Sequence, residues 1–522
     1  MRTLWSRWCG LLAEREAGTT LALYRIACGV CILLLVGSIA WHGLVPVVWL
    51  NPADGGYKPV STPWLFGWLG GVNPTTVWCI VAFSLVSAVL LILGLGGRLT
   101  SFVALQTILA LTHIDRPGFD DLLFINMLWL LVLSRSTATL SLDCRRRTGQ
   151  WTSGELVSAW PRYLVIVQLV VLYWAAGIQK VSVYWTPADG YSALYYILQR
   201  PGWVKWEMTW LAWIYPLTQA ATALTWLWEV TAPLLLVVLW FRRTADRPGR
   251  LRRFCNRLPL RGAFVAVGLA VHTGIFVFMD LGPFSLIIGS CYICLFRPPP
   301  GSAGVPPALR SHRLQIIPIL VALHIVAVLL QASPAPMYSD RESWKQPRVQ
   351  AELAEWATRL DVPEATLEER LWTVSDRYLR VRNPIQEVFS PYYRYCGTAQ
   401  GWRMFVAPDL EPTRLEIEVL EAGQWRTVYR ELDSEYRWLA GTLEHWRFRV
   451  AFFSTTWTRN WDEFHAFSQW VAVKAKRDFP DAEGVRIGLT ASRVLSAHEV
   501  RAGFHSEVKP LHSENFKFNS IP

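Results

Sequence analysis

The sequence predicts a polytopic α-helical membrane bundle followed by a water-soluble α+β domain with a β-sandwich-like part. The 522 residues are 52% hydrophobic and include 29 Trp, and the mean hydropathy is +0.24, which is too apolar for a soluble protein of this size. The apolar runs are concentrated before residue 332, whereas the rest of the chain carries ordinary charge density. We therefore predict a transmembrane domain over residues 1–332, a linker over 333–347 and a soluble domain over 348–522.

About nine segments are predicted to cross the membrane, with eight as the nearest alternative. The longer apolar runs cover residues 21–40, 76–95, 163–176, 218–241, 263–279 and 314–331. Shorter runs cover residues 99–111, 122–133 and 284–296. Because roughly 20 apolar residues are needed to cross hydrocarbon alone, these shorter runs need neighbouring helices or re-entry.

Basic residues alternate between loops. The connection between the sixth and seventh predicted spans contains eight arginines against only Asp246, whereas Lys58 is the lone lysine or arginine between Trp41 and Thr75. The positive-inside rule therefore predicts a cytoplasmic N-terminus and an extracytoplasmic C-terminal domain. The same distribution explains the net charge of +11 without a nucleic-acid partner, since a nucleic-acid patch needs its arginines on one folded face.

The soluble domain alternates between helical and extended patterns. Helices are predicted over residues 348–360, 367–380 and 459–479, a hairpin joins 414–420 to 425–432, and a further strand covers 485–495. This order is typical of an α+β domain.

Four residues with a charged or imidazole side chain fall inside predicted spans, where each is costly unless it has a partner: Arg25, Glu229, His272 and His324. An Arg25–Glu229 ion pair is the simplest structural explanation for two of them. His272 could either hydrogen-bond within the bundle or bind a ligand. Cys291 and Cys294 have the spacing of a redox motif, but within an apolar helix we expect two packing residues and predict no metal site, for want of a second cysteine pair.

Lys180 stands at the outer end of the apolar run 163–174. A lysine in this position can snorkel to the lipid headgroups. Alternatively it is held partly dry, where an ammonium loses solvation and the neutral amine becomes available as a base. Since Lys180 follows the fifth predicted span, it lies on the same side of the membrane as the soluble domain.

Several strings resemble a known family. They are ALYRI at residues 22–26, GLGGRLT at 94–100, and AAGIQK at 175–180 with Trp185, Gly190, Tyr191 and Tyr195 downstream. QGWRMF at 400–405 fits the same pattern. Together they resemble the vitamin K-dependent gamma-glutamyl carboxylases and their wider relatives, the HTTM-domain membrane proteins. The sharpest element is the string that ends in Lys180.

The resemblance implies an extracytoplasmic reaction on a lipid-soluble cofactor, vitamin K hydroquinone or a related reduced menaquinone, with oxygen and carbon dioxide as co-substrates. In the carboxylases a neutral lysine deprotonates the hydroquinone, oxygen adds, and the resulting base removes a proton from glutamate, so that the carbanion captures carbon dioxide. The lysine that matches is Lys180. A quinone suits an apolar bundle because its isoprenoid tail partitions into lipid, and its ring could stack among aromatic side chains. The candidate cofactor-binding residues are Trp174, Tyr184, Trp185, His272, Arg25 and Glu229.

One departure from the family concerns the carbanion step. Before the fourth span the carboxylases carry an Asn-Asn-His element, where this chain has Gly118-Phe119-Asp120-Asp121. Asp120 is the nearest positional match, and an anion there would repel a carbanion. His113, on the same side, is the candidate substitute.

Three functions remain open. The first is a gamma-carboxylase-like enzyme that acts on glutamate in an exported peptide or protein. The second is a quinone-dependent oxidoreductase or modifying enzyme of the same fold without carboxylation. The third is a non-enzymatic receptor or transporter, although no duplicated halves or matched pair of interrupted helices indicates a transporter.

Overall fold

The computed structural model describes residues 2–114, 119–296, 313–334, 340–449 and 461–521. Helices dominate the N-terminal part of the chain. They are α1 (Arg2–Leu12), α2 (Thr19–Trp41), α3 (Val45–Trp49), α4 (Trp64–Trp68), α5 (Pro74–Leu93), α6 (Gly97–Ile114), α7 (Phe119–Val132), α8 (Leu142–Thr148), α9 (Trp160–Ile178), α10 (Ala193–Ile197), α11 (Tyr215–Val230), α12 (Leu234–Arg243), α13 (Arg250–Arg257), α14 (Leu260–Phe278), α15 (Phe284–Ile293) and α16 (Arg313–Ala332). Two short antiparallel strands, β1 (Arg15–Ala17) and β2 (Leu156–Ser158), join the N-terminal segment to the start of α9.

Four described helices are long and apolar enough to cross a membrane, namely α2, α5, α9 and α14. A bent pair, Thr209–Val230 with Leu234–Arg243, raises the number to five if the pair forms one span. Shorter apolar helices cover Asp121–Val132, Phe284–Ile293 and Ile316–Ala332. The chain is therefore a membrane protein, and each predicted apolar run is mostly helical in its described part, but the count of about nine spans is not confirmed.

The run 218–241, predicted as one helix, is broken. The helices α11 and α12 meet at an angle of 60°, and the residues between them, Thr231 to Pro233, form a turn. Pro233 lacks the N–H that a continuous helix would use, and its ring would clash with the preceding turn. Non-helical backbone at membrane depth is tolerated where protein covers it, and here α9 packs against α11 and α12.

The connections between the helices fall into two groups. In the first group Arg162 donates to Glu16 at 2.7 Å and to the carbonyl of Cys294 at 2.8 Å, which ties the N-terminal segment to the end of α15. In the second group the connections contact the C-terminal domain. For example, Arg449 of that domain donates to the carbonyl of Val204 at 3.2 Å. The first group comprises the connections predicted to be basic, and the second comprises those predicted to be poor in Lys and Arg. That the first group faces the cytoplasm stays a prediction.

The C-terminal domain contains helices and one sheet. The helices are α17 (Arg341–Trp344), α18 (Pro347–Leu360), α19 (Glu364–Val388), α20 (Ser390–Cys396), α21 (Ala440–Leu443), α22 (Trp461–Asp478) and α23 (Ala497–Arg501), and the strands are β3 (Thr413–Glu421), β4 (Gln424–Arg430), β5 (Gly484–Ser492) and β6 (Val508–Lys517). The strands form an antiparallel sheet in the order β4-β3-β5-β6.

The expectation of a β-sandwich-like part is wrong for the described residues. Only one sheet stands in this domain, and helix α22 packs on it. Leu415, Ile417 and Val419 alternate inward along β3 and share a buried core with Phe464 and Phe467 of α22. The helix therefore supplies the apolar layer that a second sheet would have supplied.

Candidate functional site

Lys180 is buried and ion-paired. Its Nζ atom lies 2.6 Å from Oε2 of Glu229, and the two side chains are 2% and 10% exposed. The Nζ atom also lies 3.5 Å from the carbonyl of Ala176. A snorkelling lysine extends its charge toward the headgroups, so the snorkelling interpretation does not fit this geometry.

Two local features bring Glu229 to Lys180. The first is Gly177, because a Cβ atom there would lie 2.7 Å from the amide nitrogen of Val230 and 2.8 Å from Cβ of Glu229. Only glycine therefore allows α9 and α11 to approach this closely. The second is the break after α11, which places Glu229 in the last turn of that helix beside the end of α9.

Aromatic side chains adjoin the amine. The Nζ atom of Lys180 lies 5.0 Å from the ring centroid of Trp185, within the range of a cation–π contact. The indole of Trp185 is buried and donates to the carbonyl of Phe405 at 2.8 Å. Phe405 in turn packs edge-on against Trp203, with centroids 5.0 Å apart. These rings form the aromatic cluster, defined here as Trp185, Trp203 and Phe405.

Two further predicted aromatic residues occupy different places. Tyr184 packs against Tyr196 at 5.6 Å and belongs to the partly buried rim around Trp185. Burial, followed by the charge of Glu355, raises the pKa of Tyr184, so its phenol remains a donor. Trp174 is half-buried in α9. Among the described residues a ring contact with the amine of Lys180 is found for Trp185 and not for Trp174.

Residues 400–405 enter the bundle beside the lysine. Gln400 donates to Asn126 at 2.7 Å, and its own carbonyl oxygen accepts from Gln168 at 2.8 Å and from the Trp402 indole at 2.7 Å. Gln179, next to Lys180, accepts from Arg403 at 3.2 Å. The polar side chains that this segment buries are therefore hydrogen-bonded, and the segment connects the C-terminal domain to the surroundings of Lys180.

His272 belongs to a second buried polar cluster. Its Nε2 lies 2.8 Å from the hydroxyl of Tyr173, which lies 2.6 Å from the hydroxyl of Tyr292. Tyr173 also contacts Trp228, with centroids 4.2 Å apart, and Trp228 precedes Glu229 in α11. His272 therefore hydrogen-bonds within the bundle.

The predicted Arg25–Glu229 pair is wrong. Arg25 is fully buried and donates to the carbonyl of Leu140 at 2.6 Å, while Glu229 pairs with Lys180. Arg25 stands in the second turn of α2, among the first group of connections, whereas Lys180 follows the C-terminal end of α9. Gly94 makes room for the guanidinium, since a Cβ atom there would lie 1.6 Å from it.

The residues near the position where the carboxylases carry Asn-Asn-His are Asp120, Asp121 and His113. Asp120 stands in the first turn of α7, and its side chain lies outside the described residues. Its neighbour Asp121 is buried and lies 2.5 Å from Arg447 of the soluble domain. His113 is half-buried in the last turn of α6, where its carbonyl accepts from Ser61 at 2.5 Å. No hydrogen bond, ion pair or ring contact joins His113 to Lys180 in the described parts of the chain.

A second cysteine pair exists, contrary to the expectation. Cys28 and Cys31 of α2 have the same spacing as Cys291 and Cys294 of α15, all four are buried free thiols, and these helices pack together. Cys291 Sγ lies 3.3 Å from the sulfur of Met127. Within the described residues no group of three or more His, Cys, Asp or Glu is placed to hold a metal ion.

The family comparison covers the part of the chain that carries the ion pair. The family model of the HTTM domain matches residues 14–245. The matched segment covers less than half of the chain. It includes Lys180, Glu229 and Arg25, and it ends before His272 and the C-terminal domain. Such domains are found in membrane proteins related to the vitamin K-dependent carboxylases. No curated protein and no solved structure matches the chain.

Sequence reasoning missed several residues around the site. Tyr173 and Tyr292 look like ordinary apolar-helix residues until three helices bring them together. Gly177 is visible in the AAGIQK string, but its role follows only from the approach of α11. A polar triplet of Asn126, Gln168 and Gln400 could have been sought as a buried amide cluster, since each falls in or beside an apolar run.

Proposed function

We propose that the protein is an integral membrane enzyme in which Lys180 acts as a base on a reduced quinone, vitamin K hydroquinone or a related menaquinone. The proposed reaction uses oxygen and carbon dioxide to carboxylate glutamate in an exported protein or peptide and is coupled to quinone epoxidation. The Lys180–Glu229 pair carries this proposal, because it places a proton donor and a proton acceptor 2.6 Å apart in a dry site.

The pair offers a way to generate a neutral amine. Transfer of one proton from Lys180 to Glu229 converts two buried charges into two neutral groups. Burial opposes charged forms, whereas mutual attraction favours them. Because these effects oppose each other, one short proton transfer interconverts the charged pair and the neutral pair. In the neutral pair Glu229 holds the proton and Lys180 is the free base. Glu229 is thus a positioning and proton-holding residue rather than a group that touches the quinone.

The aromatic cluster fits a quinone ring. Trp185 lies next to the amine, Phe405 and Trp203 extend the cluster from Trp185, and Met279 belongs to the same buried group as Trp185. Flat aromatic rings favour offset or edge-on contacts with the faces of other rings. When bound, a reduced quinone would supply, together with oxygen, the strong base that the carboxylation of glutamate requires.

The segment 400–405 would connect peptide binding to the lysine. Arg403 is exposed, and its guanidinium lies on the soluble-domain side beside Gln179, one residue before Lys180. A guanidinium is suited to a carboxylate because it can donate two parallel hydrogen bonds. We propose that Arg403 orients the glutamate of an exported peptide toward the site.

The alternative is a quinone-dependent oxidoreductase without carboxylation. Asp121 favours it, because this buried carboxylate pairs with Arg447 near the position where the carboxylases carry their histidine. A paired carboxylate stabilises domain docking and does not donate a proton to a carbanion. The base chemistry of Lys180 is common to both proposals.

One experiment separates them. Purified protein receives vitamin K hydroquinone, oxygen, labelled bicarbonate and a glutamate-containing peptide, and both peptide label and hydroquinone loss are measured. The control is Lys205→Ala, since Lys205 is exposed on the soluble-domain side and donates to the carbonyl of Phe276. Label that Lys180→Ala abolishes and Lys205→Ala retains supports carboxylation. Lys180-dependent loss of hydroquinone without label supports the alternative, and loss that is the same in Lys180→Ala contradicts both.

A further inference from the structure

A basic cleft lies between the connection of α5 to α6 and the segment that joins α7 to α9, and it shares no lining residue with the lysine site. It has a volume of about 350 Å³ and is lined by Gly96, Arg98, Leu99, Ser134, Arg135, Thr137, Ala138 and Arg147. The cleft therefore combines guanidinium groups with two side-chain hydroxyls. Nothing in the proposed reaction uses it.

The cleft has an excess of positive charge. Glu155 neutralises part of it by pairing with Arg135 at 2.7 Å and with Arg147 at 3.0 Å. Arg98 contacts the backbone oxygens of Ser134 and Leu133 at 3.3 and 3.4 Å, and no carboxylate of the described residues pairs with it. An anion in the cleft would thus meet a guanidinium whose charge is not already balanced.

The start of helix α6 forms one edge of the cleft. Helix α6 begins at Gly97, and the amide of Gly96 just before it donates to the carboxylate of Asp143 at 3.2 Å, so this helix start already attracts an anionic group. Gly97 has a φ of +51°, and a Cβ atom there would lie 3.3 Å from the hydroxyl oxygen of Thr137. The absence of a side chain at Gly97 therefore leaves space in the cleft next to Thr137.

The apolar flank of the cleft indicates the source of the anion. Leu99 is 71% exposed and Phe102 is 46% exposed on α6, and Leu93 is 43% exposed at the end of α5. These are outward-facing positions of helices with apolar sequences, α5 being long enough to span a membrane. An anion bound here would carry its apolar part along this surface, as a phospholipid does and inorganic phosphate does not.

We propose that this cleft binds the phosphate headgroup of an anionic phospholipid, with the acyl chains along Leu93, Leu99 and Phe102. Basic pockets between membrane helices bind anionic headgroups because arginine forks match phosphate oxygens and the nearby leaflet concentrates anionic lipid. Arg98 and Arg135 contact the phosphate. Arg147 donates to the carbonyl of Ala138 at 3.1 Å, so it holds the backbone at the side of the cleft and does not contact the phosphate.

Native mass spectrometry of the purified full chain in a neutral detergent tests the site. The probes are phosphatidylglycerol, zwitterionic phosphatidylcholine and inorganic phosphate. We expect retention of phosphatidylglycerol over phosphatidylcholine, and a loss of affinity of about tenfold or more in Arg98→Gln/Arg135→Gln. The matched control is Arg145→Gln/Arg146→Gln, which removes the same charge from exposed positions of α8 that do not line the cleft.

Three results would overturn the proposal. One is an equal loss of lipid binding in the α8 control, which would indicate general charge attraction. Another is binding of inorganic phosphate with no preference for lipid, which would assign the cleft to a free anion. The third is unchanged lipid binding in Arg135→Glu, a charge reversal at a half-exposed position that serves as a second variant if the double substitution fails to fold.

Discussion

The ammonium nitrogen of Lys180 lies 2.6 Å from a carboxylate oxygen of Glu229, across an interface between two helices from which solvent is excluded. The two residues meet because Gly177 has no side chain and because α11 ends at this level. A buried ion pair of this kind is weak evidence for stability alone, since desolvation offsets much of the attraction. Its place at a helix break, within the segment that the HTTM family model matches, is the basis of the proposed chemical role.

Removing one partner of the pair should destabilise the protein more than removing both. Lys180→Met leaves the Glu229 carboxylate buried without its cation, and Glu229→Gln leaves the ammonium, each at a cost of about 3–5 kcal/mol. The double substitution Lys180→Met/Glu229→Gln leaves no unbalanced charge. Thermal unfolding in detergent, followed by tryptophan fluorescence, should show partial recovery in the double variant. Simple addition of the two losses would contradict a direct pair.

Gly177→Ala should separate the two helices. The added methyl group would lie within 2.8 Å of both Val230 N and Glu229 Cβ, so α11 must move and the lysine loses its partner. We expect hydroquinone oxidation to fall at least about tenfold, because misplacement by 1 Å can cost far more. Gly274→Ala in α14 is the control, since a Cβ atom at that position would meet no other atom within 4 Å. Equal effects of the two substitutions would remove this role for Gly177.

Acid should weaken the contact between the soluble domain and the bundle at His445. Burial, together with the nearby His42 and Arg447, lowers the pKa of His445 from its usual 6.5 to about 4. Its Nδ1 accepts from the backbone amide of Arg447 at 3.2 Å, and its ring lies 4.9 Å from that of His42, so protonation loses a hydrogen bond and adds repulsion.

The direction in which pH changes the stability follows from proton binding by His445. The unfolded chain binds more protons at this group than the folded chain between about pH 6.5 and 4, so stability falls as the pH falls through that window. Thermal unfolding measured from pH 8 to 4 should show a flatter profile for His445→Gln than for the unaltered protein. Identical profiles would show that His445 does not contribute.

Breaking the Asp121–Arg447 pair should loosen the soluble domain. The side chains are 1% and 3% exposed, so Arg447→Met leaves a buried carboxylate at the interface. Hydrogen exchange should rise in α7 and in residues 440–449. Arg437→Met is the control because Arg437 is half-exposed and pairs with Glu444 within the soluble domain. Exchange that rises equally in both variants would point to general destabilisation.

The sequence predicts the features that depend on local pattern. Apolar periodicity locates the helices, and β3, β4 and β5 correspond to alternating runs. Strand β6 escapes prediction because its side chains are mostly exposed and Pro510 interrupts it. The Lys180 string stands out as the sharpest element without any knowledge of its contacts, since it combines an amine with the end of an apolar run.

The partners of the buried polar groups could not be predicted. Pairing Arg25 with Glu229 rests on charge alone. The apolar pattern predicts one helix over 218–241 and does not show the break that puts Glu229 in the last turn of α11. The Asp121–Arg447 pair depends on how the soluble domain docks. Long-range pairs of this kind follow from the packing of whole helices, which no local pattern contains.

The most direct test of Lys180 as the base is an experimental structure of the protein purified with a reduced quinone. We predict a prenylated ring against Trp185 and Phe405, with a ring oxygen within about 3 Å of Lys180 Nζ, the reach that proton transfer requires. A quinone bound elsewhere, with the Lys180–Glu229 pair closed and out of its reach, would contradict the assignment of Lys180 as the base.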